Sequence, residues 1–97
     1  MEKVAKVSDF KDKLCVYVKG KELALFKVGD EFFCLDNACP HAGGPLCEGN
    51  VDGFVVTCPW HESKFDIRDG SVKSAPAFSG VKKYNVVVKD DDIFVDI

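Results

Sequence analysis

Cys39-Pro40-His41 and Cys58-Pro59-Trp60-His61 each place one thiol and one imidazole within a few residues of each other, and sixteen residues separate His41 from Cys58. The two histidines are the only ones in the chain. Two soft thiolates and two neutral imidazoles are what a [2Fe–2S] cluster with chemically unlike irons requires, with sulfur on one iron and nitrogen on the other. The same four side chains could also hold zinc in a structural Cys₂His₂ site. Zinc modules of that composition usually keep the cysteines together and the histidines together. Here each short motif is mixed, follows a β-type segment and carries a proline directly after its cysteine.

The elements that must position these loops read almost entirely as strand. Residues 4–7, 14–18, 22–28 and 31–35 are short and rich in Val, Phe, Leu and Tyr, with Lys19-Gly20-Lys21 and Gly29-Asp30 as hairpin turns between them. Residues 51–58 continue the pattern, with Asp52-Gly53 as a turn near its start, and residues 64–67 and 71–73 flank Asp69-Gly70 as another short hairpin. Residues 81–89 and 93–97 meet across Asp90-Asp91-Asp92. Alternation puts Tyr84, Val86 and Val88 on one face of the first, and Ile93, Val95 and Ile97 on one face of the second. One helical turn within residues 7–13, capped by Ser8, is the only helical expectation. Many short strands at close spacing predict an all-β sandwich or small barrel. Residues 37–49 break the rhythm with two prolines and three glycines, and so do residues 74–80. Irregular loops of this kind inside a β domain commonly carry function.

Bulk properties narrow the functional classes. Ninety-seven residues with a net charge of −3 fit one domain, residues 1–97, and the scattered Lys and Arg give no stripe for nucleic acid. No apolar run approaches the roughly 20 residues of a spanning helix, so no membrane anchor is expected, and no secretory signal is visible at the N-terminus. Five cysteines, an odd number with two at metal spacing, predict a reducing, cytoplasmic setting with Cys15, Cys34 and Cys47 as free thiols. Cys15 and Cys34 read as small core residues within strands, and Cys47 as a loop thiol.

Cys-Pro-His-Ala-Gly-Gly-Pro-Leu at 39–46 and Cys-Pro-Trp-His-Glu-Ser-Lys-Phe-Asp at 58–66 resemble the two cluster loops of Rieske-type iron–sulfur proteins. The likeness runs on through Asp69-Gly70 and Ala75-Pro76-Ala77. It implies an antiparallel Rieske-type β-sandwich with an inserted cluster-binding loop subdomain at about residues 37–78. It also implies one [2Fe–2S] cluster, with Cys39 and Cys58 on the inner iron and His41 and His61 on the outer one. Pro76 would sit on a third loop covering the cluster. Leu46 and Pro45 would shield it, Trp60 would pack beside the loop, and Ser63 would supply a hydroxyl to a cluster sulfur.

Departures from the family's high-potential members bear on the potential. Those members join the two loops by a disulfide and add Ser and Tyr hydroxyls to the sulfurs. Gly44 and Trp60 stand at the positions of the disulfide cysteines, and Phe65 replaces the tyrosine. Fewer donors stabilise the reduced state less, so the expectation is the lower half of a range of roughly −150 to +300 mV. Glu62 stands where the family commonly has glycine, which puts the backbone of that turn in question and sets a carboxylate beside His61. Imidazole ligands with a free ring nitrogen would also make the potential fall as pH rises.

The resemblance implies a monomeric, soluble one-electron carrier that takes electrons from a reductase and passes them to an oxygenase or other terminal reductase, as in aromatic-ring dioxygenase systems. The small subunit of an assimilatory nitrite reductase has similar loops and is the alternative; a structural zinc-binding interaction module is the third reading. Catalysis by the chain itself is not expected, because no histidine remains for a mononuclear iron site.

Overall fold

The computed structural model describes every residue except Phe10, His41, Ala42, His61, Pro76 and Phe78. The strands among the described residues are β1 (Glu2–Lys6), β2 (Lys13–Val18), β3 (Lys21–Val28), β4 (Glu31–Asp36), β5 (Asn50–Asp52), β6 (Val55–Thr57), β7 (Lys64–Asp66), β8 (Val72–Ser74), β9 (Lys83–Tyr84), β10 (Val86–Lys89) and β11 (Asp92–Val95). They form three antiparallel sheets, with strand orders β1-β11-β10, β2-β3-β4-β9 and β5-β6-β7-β8. The all-β, antiparallel expectation is met.

β3 explains how the sheets stack. Leu23, Ala24, Leu25 and Phe26 are all fully buried, whereas a strand with one face in water would alternate. Successive side chains leave a strand on opposite faces. Accordingly Leu23 and Leu25 pack with Ala5, Ile93 and Val95, from the β1-β11-β10 sheet. Ala24 and Phe26 pack with Val56 and Phe65, from the β5–β8 sheet. The same division continues on β4, where Cys34 joins the first core and Leu35 the second. The β2-β3-β4-β9 sheet is therefore a middle layer with a separate apolar core on each side.

Three local readings need correction. The helical turn is a short 3₁₀ segment, Val7–Asp9. It is held by the Lys6 backbone N–H donating to the Asp9 carboxylate at 2.9 Å, while Ser8 donates instead to Asp91. A second 3₁₀ turn, Leu46–Glu48, was not anticipated. The long strand expected over 81–89 is two strands, because the chain leaves the middle sheet after Tyr84 and joins β11 from Val86 onward. The crossing removes the shared face, so Tyr84 is buried while Val88 is exposed.

Candidate metal centre

Two loops built on the same backbone plan carry the cysteines. In the first, the Cys39 N–H donates to the Gly44 carbonyl at 2.9 Å; in the second, the Cys58 N–H donates to the Ser63 carbonyl at 2.7 Å. Each closure spans five residues from its cysteine. Each also needs one left-handed residue just before closure, Gly43 at φ +77° and Glu62 at φ +61°. The first loop gains a further bond from the Gly43 N–H to the Cys39 carbonyl and a β-bridge between Ala38 and Pro45.

The loops are anchored to the sheets. β4 ends at Asp36, and the next residue, Asn37, is buried. The Asn37 amide donates to Glu22, its Oδ1 accepts the Cys47 N–H at 2.7 Å, and its carbonyl accepts the Leu46 N–H at 2.8 Å. Asn37 thus fixes the entry and the exit of the first loop. In the sequence Asn37 marks only the start of the loop; its burial and its bonds appear only in the fold. The second loop runs between β6 and β7, which pair with each other. The third segment, residues 74–80, is tied to it by the Ala77 N–H donating to Ser63 Oγ at 3.0 Å. Ser63 is fully buried, and as a hydroxyl it can donate a hydrogen bond as well as accept this one.

These anchors bring the thiols together. Cys39, Cys58, Leu46 and Phe65 share the core between the middle sheet and the β5–β8 sheet. A methyl group built on Gly44 would lie 2.6 Å from Cys58 Sγ and 3.1 Å from Trp60 Cβ. The first loop therefore closes against the second through a position that admits no side chain, where the resemblance had put a disulfide in other members. Trp60 packs there by its Cβ and Cγ but is 51% exposed, so it borders the site rather than filling it.

Burial pushes the Cys58 thiol above its ordinary pKa; the Trp60 backbone N–H pulls it back, and the neighbouring Cys39 raises it again. A thiolate is costly to bury unless a cation offsets its charge. A ferric pair provides that charge, so this donor set fits a binuclear iron–sulfur centre, which when bound accepts and returns one electron. Leu46 is fully buried in the core that holds both cysteines. His41, His61 and Pro76 lie outside the described residues.

The expected free thiols divide differently. Cys34 is buried and unpaired, its thiol pushed up to about 12 by burial and by Asp36. Cys15 and Cys47, expected to be free, are joined in a disulfide with Cα atoms 5.0 Å apart. Nor is Cys15 a core residue: it is exposed, and it shares a β2 face with Lys13 and Tyr17 while Leu14, Val16 and Val18 pack into the core of the first sheet. That polar-side alternation was readable from the sequence; the partner 32 residues away was not.

A second polar centre braces the β5–β8 sheet. Asp66 is nearly fully buried, yet it accepts the Arg68 guanidinium at 2.8 and 3.0 Å and the Arg68 backbone N–H at 2.9 Å. These bonds hold its carboxyl down at about 2. Arg68 also stacks over Phe54 at 4.5 Å.

Comparison with known proteins agrees with this geometry. The family model for the Rieske [2Fe-2S] domain matches residues 1–85. The chain is 35% identical over 86 residues to the ferredoxin component of the naphthalene 1,2-dioxygenase system of Pseudomonas putida, covering 89% of this chain and 83% of the relative. The solved ferredoxin of Sphingomonas yanoikuyae B1 superposes with a TM-score of 0.93 at 32% identity, over 99% of this chain and 97% of that one. A chain in the complex of reduced oxygenase and oxidised ferredoxin in carbazole 1,9a-dioxygenase gives a TM-score of 0.91 at 32% identity, over 97% and 90%. These likenesses displace the zinc alternative. The cluster that the family description names is the one that the facing thiols can hold, and on that convergence the chain belongs to the Rieske [2Fe-2S] domain family, as an electron carrier of the ferredoxin type with one such cluster.

Proposed function

We propose that Cys39, His41, Cys58 and His61 bind the cluster, and that the chain delivers single electrons to the terminal oxygenase of a ring-hydroxylating dioxygenase system. The observation that carries the ligand assignment is the meeting of Cys39 and Cys58, one from each of two loops with matching closure, in one buried core. The relatives named as dioxygenase ferredoxin components, and the neighbour in complex with an oxygenase, support the choice of partner. Residues 37–78, which include the β5–β8 sheet and its loops, act in this reading as the cluster-binding unit of one domain.

The potential is in the lower part of the family's range, because Phe65 brings no hydroxyl and no disulfide joins Gly44 to Trp60. The carrier works in the cytoplasm, a reading supported by its likeness to dioxygenase ferredoxin components; the Cys15–Cys47 bridge removes two of the free thiols on which that setting was expected. Among the described residues no helix is long and apolar enough to cross a membrane.

The decisive experiment mixes the reduced protein with an oxidised ring-dioxygenase oxygenase in a stopped-flow instrument. Loss of the reduced-ferredoxin signal in step with oxygenase reduction is expected. No transfer to an oxygenase whose own ferredoxin transfers under the same conditions contradicts the partner. A normal Rieske electron paramagnetic resonance signal after Cys39→Ser or His61→Ala contradicts the ligand set.

A further inference from the structure

We propose that the Cys15–Cys47 disulfide is a reversible redox-modification site, at which a dithiol reductant releases the exit of the first cluster loop. The proposal rests on the reading that this loop holds the cluster. The bridge joins β2, at the edge of the middle sheet, to the 3₁₀ turn that begins at Leu46, where the first loop ends. Two ties run from one face of β2 to that exit: the disulfide itself, and Lys13 Nζ donating to the Gly49 carbonyl at 2.6 Å. Cys15 stands opposite Ala24 in the β2–β3 register, and Ala24 faces the cysteine-bearing core. The bridge thus spans the rim of the layer in which Cys39 and Cys58 lie.

The two sulfurs differ in access. Cys15 belongs to an exposed position, whereas Cys47 is 4% exposed and packed with Leu46, Cys39 and Cys58. A thiolate of the reductant attacks Cys15 Sγ, a mixed disulfide forms there, and Cys47 leaves as a thiolate that takes a proton from water. The second thiol of the reductant then attacks the mixed disulfide and frees Cys15. The protein gains two electrons and two protons, and the reductant is oxidised to its own disulfide. Cys34 takes no part, being buried in the other core with its thiol held protonated. With the bridge open, the loop exit keeps the hydrogen bonds to Lys13 and Asn37 but loses its covalent tie to β2, so the loop opens more often and the cluster is lost faster.

The test uses the cluster-loaded protein as purified, with and without dithiothreitol under anaerobic conditions. Alkylation followed by mass analysis reads the bridge, and visible absorbance in the presence of an iron chelator reads cluster loss. Dithiothreitol is expected to expose Cys15 and Cys47 to labelling and to speed cluster loss by about tenfold, with reoxidation restoring the slow rate. Cys15→Ser is expected to lose its cluster fast from the start and to ignore the dithiol. The proposal is overturned if the pair resists labelling, if labelling leaves the rate unchanged, or if dithiothreitol accelerates loss equally in Cys15→Ser. A protein that purifies without visible absorbance overturns the cluster reading instead. The bridge is then decided on the metal-free chain by labelling and by protease cleavage within residues 37–49, an unchanged cleavage rate after reduction sinking the proposal.

Discussion

Gly43 and Glu62 hold the same place in two different loops: each stands four residues after a buried cysteine, in the left-handed backbone region, just before the loop closes on that cysteine's N–H. Only the first loop uses the residue suited to the conformation. Glu62 is exposed, so its side chain gains little packing in return for a backbone strain of about 1 kcal/mol. Glu62→Gly is therefore expected to raise unfolding stability by about 0.5–1 kcal/mol, measured by denaturant titration of the loaded protein. An unchanged or lower midpoint would show that the carboxylate contributes something the backbone argument omits.

Gly44 faces the opposite demand. Its φ is ordinary, but a Cβ there meets Cys58 Sγ and Trp60. Gly44→Ala must push the loops apart, at a cost of about 1–3 kcal/mol. The expected result is a protein that folds with its β circular-dichroism signal intact but retains less iron and acid-labile sulfide. Full iron content in this variant would mean that the loops yield more easily than their hydrogen bonding suggests.

Phe65 is fully buried in the core that holds both cysteines, at the position where high-potential members of the family have tyrosine. Phe65→Tyr adds a hydroxyl to a site with room for little else. A net hydrogen bond of about 1 kcal/mol to the reduced state corresponds to an upward shift on the order of 40 mV for one electron. Protein-film voltammetry measures this directly, and a downward shift would contradict the donor argument.

The Cys15–Cys47 bridge closes a loop across a separation of 32 residues. In the chain-entropy account, losing such a cross-link costs about 3–4 kcal/mol. Cys15→Ser is expected to lower the thermal midpoint clearly even in the metal-free chain, whereas Cys34→Ser, in the other core, should leave the bridge and its contribution intact. Equal midpoints for wild type and Cys15→Ser would remove the bridge from the account of stability.

Asp66 supplies a pH dependence whose sign is fixed. Its folded-state pKa, about 2, lies below the ordinary carboxylate value of 3.8 because Arg68 bonds the ionised form. The stabilisation is present above pH 4 and is lost as pH falls through 4 toward 2. Because Arg68 and Lys73 are open to water and their attraction is screened, the contribution is about 1–2 kcal/mol. Asp66→Asn should flatten acid unfolding over that interval; an unchanged acid limb would assign it to other carboxylates.

Local pattern carried most of this architecture because the decisive signals are short. Apolar strands, Gly and Asp turns and the two mixed Cys–His motifs are each contained within a few residues; most of the strands and turns lie where expected, and Cys39 and Cys58 share one core, while His41 and His61 lie outside the described residues. Long-range pairing was the blind spot. Nothing beside Cys15 names Cys47, and an odd cysteine count pointed toward free thiols. Tyr84 and Val86 alternate as one strand, yet they serve different sheets, since the chain crosses between layers at Asn85. Asn37 was hidden for a related reason: its importance lies in hydrogen bonds to Glu22 on β3 and to Leu46 and Cys47 at the loop exit, which only the fold brings together.

The double-sided burial of β3 has a practical consequence for anyone altering this carrier. Adjacent residues on that strand address different compartments: Phe26 belongs to the redox layer, and Leu25 to the supporting one. A change at one can retune the surroundings of the thiols while its immediate neighbour, along with the terminal strands beneath it, keeps its packing. One strand thus works as a partition wall, and the two rooms it separates can be refurnished independently.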